Sequence, residues 1–142
     1  MSEERDFLQE LTIREVLLNQ HLVDHAAQQA YWGVRFAETL RASKIAKLRA
    51  EVTQASLITQ TMQVMVQAGQ KATEMTVMAV VNAHPDRVSA WENAYEAEYQ
   101  SNMMKAAAEG FTARKDALVT LAANARQEMQ GHPKVFTQPR ES

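Results

Sequence analysis

The sequence predicts an all-α protein built as a long-short-long arrangement of helices, and three observations carry that expectation. Only four glycines and three prolines occur in 142 residues, so helix breakers are scarce and good helix formers dominate. Their placement is uneven: from Thr12 to Ala68 there is no proline and a single glycine, Gly33. Ile45, Leu48, Val52, Ala55, Thr59, Met62 and Val66 recur at alternating steps of three and four, which is the period of a helix face with one small polar interruption.

Taken in order, residues 1–11 form an acidic N-terminal segment that also holds Phe7, Leu8 and Leu11. Thr12 then offers a helix cap with Glu15 three residues later, an arrangement that satisfies two orphan amides. The stretch from there to Ala68 is one very long helix or two helices joined by a kink at Gly33. At about 1.5 Å per residue an unbroken helix of this kind exceeds the width of a compact globule, so its exposed length calls for partners. Upstream of the heptad-like stripe, Leu22, Ala26, Trp32, Phe36 and Leu40 extend an apolar side. The stripe fits an intramolecular core and a partly intermolecular seam equally well.

Gly69 sits where a left-handed helix stop carries no side-chain clash, and Thr73 reads as the cap of a short helix with Glu74 in its first turn. That helix includes Met75, Met78, Ala79 and Val81 and ends at His84-Pro85. Ser89 or Asp86 starts the last helix, whose apolar stripe runs Trp91, Tyr95, Tyr99 and Met103, then Phe111, Leu118, Ala122, Ala125 and Met129. Gly110 permits close backbone approach or a slight kink. Gly131-His132-Pro133 closes the element. The expected organisation is a helical oligomerisation and binding domain over 12–130 and a mobile tail over 131–142.

Composition bounds the chemistry. There is no cysteine, which excludes disulfides, thiol nucleophiles and Cys-ligated zinc. No apolar run approaches the roughly 20 residues of a membrane-spanning helix, and no signal sequence follows the acidic start, so a cytoplasmic protein without a membrane partner is expected. His21 and His25 share a helix face, but Leu22 stands where a His-Glu-x-x-His hydrolase needs its glutamate; surface histidines are the expectation, with no metal site. Glu92 and Glu96 lie on one helical side without a pocket to divide acid and base roles. No phosphate-cradling glycine loop or nucleophile arrangement is visible. The expectation is a protein that is not an enzyme, with no catalytic residues and no cofactor.

Charge is segmented. Net charge is −2 overall, yet His25 to Ala72 holds six basic residues (Arg35, Arg41, Lys44, Lys47, Arg49, Lys71) against Glu38 and Glu51, a net of +4. Thr73 to Gln100 sets Arg87 against five acids, a net of −4. Such segmentation suits a steering surface for polyanions or contacts between opposite patches of neighbouring subunits. On a helix, Arg41, Lys44 and Lys47 span roughly a third of the circumference, with Arg35 and Arg49 on the opposite flank of the stripe. Charges so placed can follow successive phosphates without reading base sequence, or remain a solvated face with ion pairs across a helix seam. Trp32 or Tyr31 is placed to stack on a base or, alternatively, to pack. Repetition of a modest patch in a closed oligomer reconciles an acidic mean with polyanion binding.

In this arrangement, Tyr31-Trp32, the Arg41 to Arg49 basic segment, Lys71-Ala72-Thr73-Glu74 and the late aromatic-rich helix, the chain from about Leu22 to Met129 resembles the UvsY family of recombination mediators of tailed phages. The resemblance implies a small helical homo-oligomer that binds single-stranded DNA and helps a recombinase replace a single-strand-binding protein, in the host cell cytoplasm if phage-encoded. Carried onto this chain, it makes Arg41, Lys44, Lys47 and Arg49 candidate DNA contacts, joined by Arg35 and by Trp32, with Phe36 packing or stacking nearby. The stretch around Glu92, Glu96 and Glu98 becomes a face for a protein partner. Ile45, Leu48, Val52, Met62 and Val66 are the expected oligomerisation residues. The alternative is a structural helical virion or assembly protein whose charge segments orient neighbouring copies.

Overall fold

The computed structural model describes residues 5–136, the side chains of 131–136 excepted. Over these residues the protein is all-α, with four α-helices and no strand: α1 (Phe7–Leu11), α2 (Leu18–Gln67), α3 (Glu74–Ala83) and α4 (Pro85–Phe136), with a 3₁₀ turn at Glu15–Leu17 before α2. α2 passes through Gly33 without a break. α4 continues past the expected stop at Gly131-His132-Pro133 to Phe136. Residues 137–142 of the expected tail and 1–4 of the acidic segment lie outside the described residues. The contacts divide the chain into two units, Met1–Val34 with Lys105–Ser142, and Arg35–Met104.

The Arg35–Met104 unit is an antiparallel helical hairpin with α3 set into its turn. α2 ends in a Schellman arrangement: the Gln70 amide donates to the Met65 carbonyl at 2.9 Å and the Gly69 amide to Val66 at 3.1 Å, with Gly69 at φ +73°. Only a residue without Cβ adopts that φ cheaply. Thr73 then caps α3 as expected, exchanging hydrogen bonds with Thr76 in a reciprocal box. His84 serves two helices. Its amide closes α3 on the Val81 carbonyl, and its Nδ1 accepts from the Asp86 amide at 3.1 Å, so α4 starts at Pro85 rather than near Ser89. Proline suits this first position because its missing N–H would have no helical partner there.

Val77 and Val81 of α3 bury against Leu57 of α2, with Ile58, Met65 and Ala72 beside them. Further along the hairpin the seam changes character. Ala50 is fully buried, and Ala94 and Ser101 nearly so, while Gln54 accepts from Arg87 Nε at 3.2 Å and Trp91 Nε1 at 3.0 Å. Small residues let two helix backbones approach closely, and dispersion contacts there do the work of a thicker core.

In the other unit, the described residues 5–34 and 105–130 are held by larger side chains. Phe111, Leu118, Ala107 and Trp32 are buried, with the Trp32 and Phe111 rings stacked at 6.5 Å. α1 is capped by Asp6, which accepts from the Leu8 and Gln9 amides. Thr12, expected to open a helix, instead ends α1: its amide donates to the Gln9 carbonyl and its hydroxyl to Leu8. Phe7 then lies edge-on to Trp32 at 5.7 Å. Leu11 lies so close to Gly110 that a Cβ there would sit 2.9 Å from Leu11 Cδ1; close approach, not a kink, is what this glycine provides.

Candidate functional site

α2 carries two faces with opposite roles. Within the Arg35–Met104 unit its inner side is small and partly polar, built around Ala46, Ala50, Gln54 and Leu57. Ile45, Leu48, Val52, Met62 and Val66 lie on average about 170° around the axis from that side. All five are between 37% and 65% exposed. The intramolecular-core reading of this stripe is therefore overturned: the hairpin closes through Ala46, Ala50, Gln54 and Leu57 and leaves these five residues exposed. The stripe is thus an apolar line of heptad-like spacing exposed on the single chain.

The basic residues surround this stripe. Arg35, Arg41, Lys44, Lys47 and Arg49 are all exposed. Arg35 pairs with Glu38 at 3.2 Å; among the described residues no carboxylate lies within 4.0 Å of the other four. By helical geometry Arg41 falls in the middle of the stripe, Lys44 and Lys47 on one flank and Arg49 on the other. Each flank borders a groove against α4. On one side Leu40, Lys44 and Lys47 face Trp91, Tyr95 and Glu98 across a groove of about 500 Å³. On the other, Arg49 and Thr53 face Asp86 and Asn93 across about 450 Å³. The acidic segment of α4 thus lies beside the basic segment of α2 within one chain. The expected acidic partner face around Glu92, Glu96 and Glu98 is split, Glu98 lining the groove while Glu92 and Glu96 stay exposed.

Trp32 is not an available stacking platform. Only 3% of it is exposed, its indole N–H donates to Glu10 Oε2 at 2.6 Å, and Phe7, Tyr31 and Phe111 enclose the ring. Glu10 also pairs with Arg5, whose guanidinium lies 3.8 Å above the Tyr31 ring. The aromatic pair at 31–32 therefore fastens α1 to its unit. The stripe of α4 needs a parallel correction: Tyr95 and Tyr99 are exposed, because the inner line of the hairpin runs through Ala94 and Ser101, and Met129 in the other unit is exposed as well.

Sequence reasoning also missed a buried polar cluster. Arg114, 4% exposed, donates from Nη1 to Gln28 Oε1 at 2.8 Å and approaches His25 Nδ1 at 3.2 Å, while Nη2 lies 3.0 Å from His21 Nδ1. His21 Nε2 meanwhile faces the Arg14 amide at 3.1 Å. A neutral imidazole has one lone pair, so His21 accepts from Arg114 or from Arg14 but not both, and the charged donor is the stronger. Burial first, then the charge of Arg114, push His25 below its ordinary value of 6.5; the Gln29 side chain opposes this and Lys115 adds to it. Burial likewise lowers Arg114, against the charges of Asp24 and Glu10. His25 Nε2 and Arg114 Nε find no partner among the described residues. The only local sequence signal was the His21/His25 spacing, which read as surface. In place of a surface pair, the two Nδ1 atoms meet the two ends of the Arg114 guanidinium.

Among the described residues no three His, Asp or Glu side chains converge as a metal site, and no helix is long and apolar enough to cross a membrane. No family model, curated protein or solved structure matches the chain.

Proposed function

We propose that the protein is a non-catalytic, self-assembling helical binder of single-stranded DNA that serves as a recombination mediator of the UvsY kind. One observation carries the reading: four exposed cations, Arg41 within an exposed apolar stripe and Lys44, Lys47 and Arg49 on its flanks, share one helix. The stripe suits a contact with a second copy, and the cations supply a phosphate-tracking edge that a closed oligomer repeats. In this reading strand capture is electrostatic, no bond is made or broken, and the captured strand is passed to a recombinase in place of a single-strand-binding protein. The setting is the cytoplasm of a phage host.

Fluorescence anisotropy with a labelled single strand across a salt series tests it. Replacing Arg41, Lys44 and Lys47 together by Ala is expected to weaken binding at least ten-fold at low salt and to flatten the salt dependence, with helical content unchanged. Unaltered affinity would remove this segment from the site. A second reading, a structural assembly protein without strand affinity, is favoured by Glu98 and Asp86, which stand across the grooves from the cations and temper their potential. It predicts a stable oligomer that ignores single strands even in dilute buffer.

A further inference from the structure

The groove between α2 and α4 in the Arg35–Met104 unit has cations on one wall and aromatic rings on the other. Lys44 and Lys47 stand on α2, and Trp91 and Tyr95 on α4. The Trp91 and Tyr95 centroids are 5.8 Å apart with planes tilted by 35°. Tyr99 follows one turn later, and Tyr95 and Tyr99 are 62% and 58% exposed. Rings spaced four residues apart advance by about 6 Å each along the helix. They form a ladder: Trp91, tied to Gln54, anchors its inner rung, Tyr95 lines the groove and Tyr99 lies beyond its rim. The exposure of the two tyrosines is not explained by the seam, which closes through Ala94 and Ser101.

A strand laid on the outer ridge of α2 would compete with a neighbouring copy, because Arg41 sits within the apolar stripe. The flank groove is offset from that ridge, sharing Leu40 and Lys44 with it while Lys47, Trp91 and Tyr95 lie on the groove side alone. We infer that the bases of a bound single strand stack on the Trp91–Tyr95–Tyr99 ladder while Lys44 and Lys47 hold its phosphates; this rests on the strand-binding reading above and names the part of the ligand that α4 recognises. Aromatic faces accept any base, so such a platform is tolerant of sequence. Glu98, an acceptor-only carboxylate in the same groove, repels the phosphates and accepts from base amino groups. It therefore orients the strand with bases toward α4 and backbone toward α2.

Trp91 is the more exposed of the two tryptophans, so its fluorescence reports on the groove. With the full chain and an unmodified single-stranded oligonucleotide, binding is expected to quench tryptophan emission. Tyr95→Ala with Tyr99→Ala is expected to lower affinity about ten-fold or more at unchanged salt slope and unchanged circular dichroism, and the corresponding Phe pair to restore it. Lys44→Ala with Lys47→Ala should instead reduce the salt slope by about one to two while the residual binding still quenches. If the unaltered protein binds the strand but an abasic strand of equal length binds as tightly, or the Ala pair binds normally, the ladder is not a stacking platform and the strand-binding reading survives. Tighter binding of a polyglutamate peptide than of the strand, with the same quenching, would assign the groove to an acidic protein partner and overturn the inference. No strand binding at low salt by the unaltered protein would remove both readings.

Discussion

Arg114 brings five N–H donors into the interior of its unit, where it meets His21, His25 and Gln28, and its Nε finds no acceptor among the described residues. A buried guanidinium is tolerated only while its fork is matched. Arg114→Lys keeps the charge but cannot reach three acceptors from one ammonium, so stability is expected to fall by about 1–3 kcal/mol, read as a lower midpoint in urea. An unchanged midpoint would mean the fork does not hold this unit. His25 adds a pH dependence. Its folded-state value lies below the ordinary 6.5, so the unfolded chain binds the proton more readily. The contribution is fully present above 6.5 and is lost as pH falls toward the lowered value. Thermal midpoints should therefore drop between pH 7 and 5, and His25→Gln, which keeps an acceptor facing Arg114 but cannot titrate, should reduce that slope by the share of one proton in calorimetry.

The two faces of α2 make opposite predictions for neighbouring residues. Leu48→Asp with Val52→Asp changes side chains 59% and 60% exposed in the single chain, so the hairpin should keep its circular dichroism while sedimentation reports a smaller mass. Ala50→Leu places three extra carbons at a fully buried seam position and should cost about 1–3 kcal/mol of folding stability. Loss of helix in the Asp pair, or indifference to Ala50→Leu, would reverse the assignment of the faces. This is also where the sequence was legible and where it was not. The 3–4 period of α2, the stop at Gly69 and the cap at Thr73 rest on local chemistry and were readable as such. The phase of the helix was not, because size-weighted hydrophobicity points to Ile45, Leu48 and Val52, whereas the hairpin closes through Ala46, Ala50 and Gln54, whose value lies in how closely another backbone can approach. The same bias put Tyr95 and Tyr99 on the inside.

At the scale of the whole molecule, exposure of the Arg41 to Arg49 cations was visible in the sequence, since charged residues rarely bury without a partner. The fate of Trp32 was not, because its partner Glu10 lies 22 residues away, and Arg114 finds His21 across 93; no local pattern reports such pairings. If copies associate through the outer stripe, a long strand contacts several cationic edges at once. Affinity should then climb steeply with oligonucleotide length in the unaltered protein and only weakly in the Leu48→Asp, Val52→Asp variant, as anisotropy over a length series would show. Equal length dependence in both would separate strand binding from assembly. The back-to-back placement of the two α2 faces has one more effect. If copies do associate through the outer face, one can arrive or depart without any helix of its neighbour letting go of its own hairpin, and turnover of the proposed ring would run at the tempo of surface encounters and need no refolding.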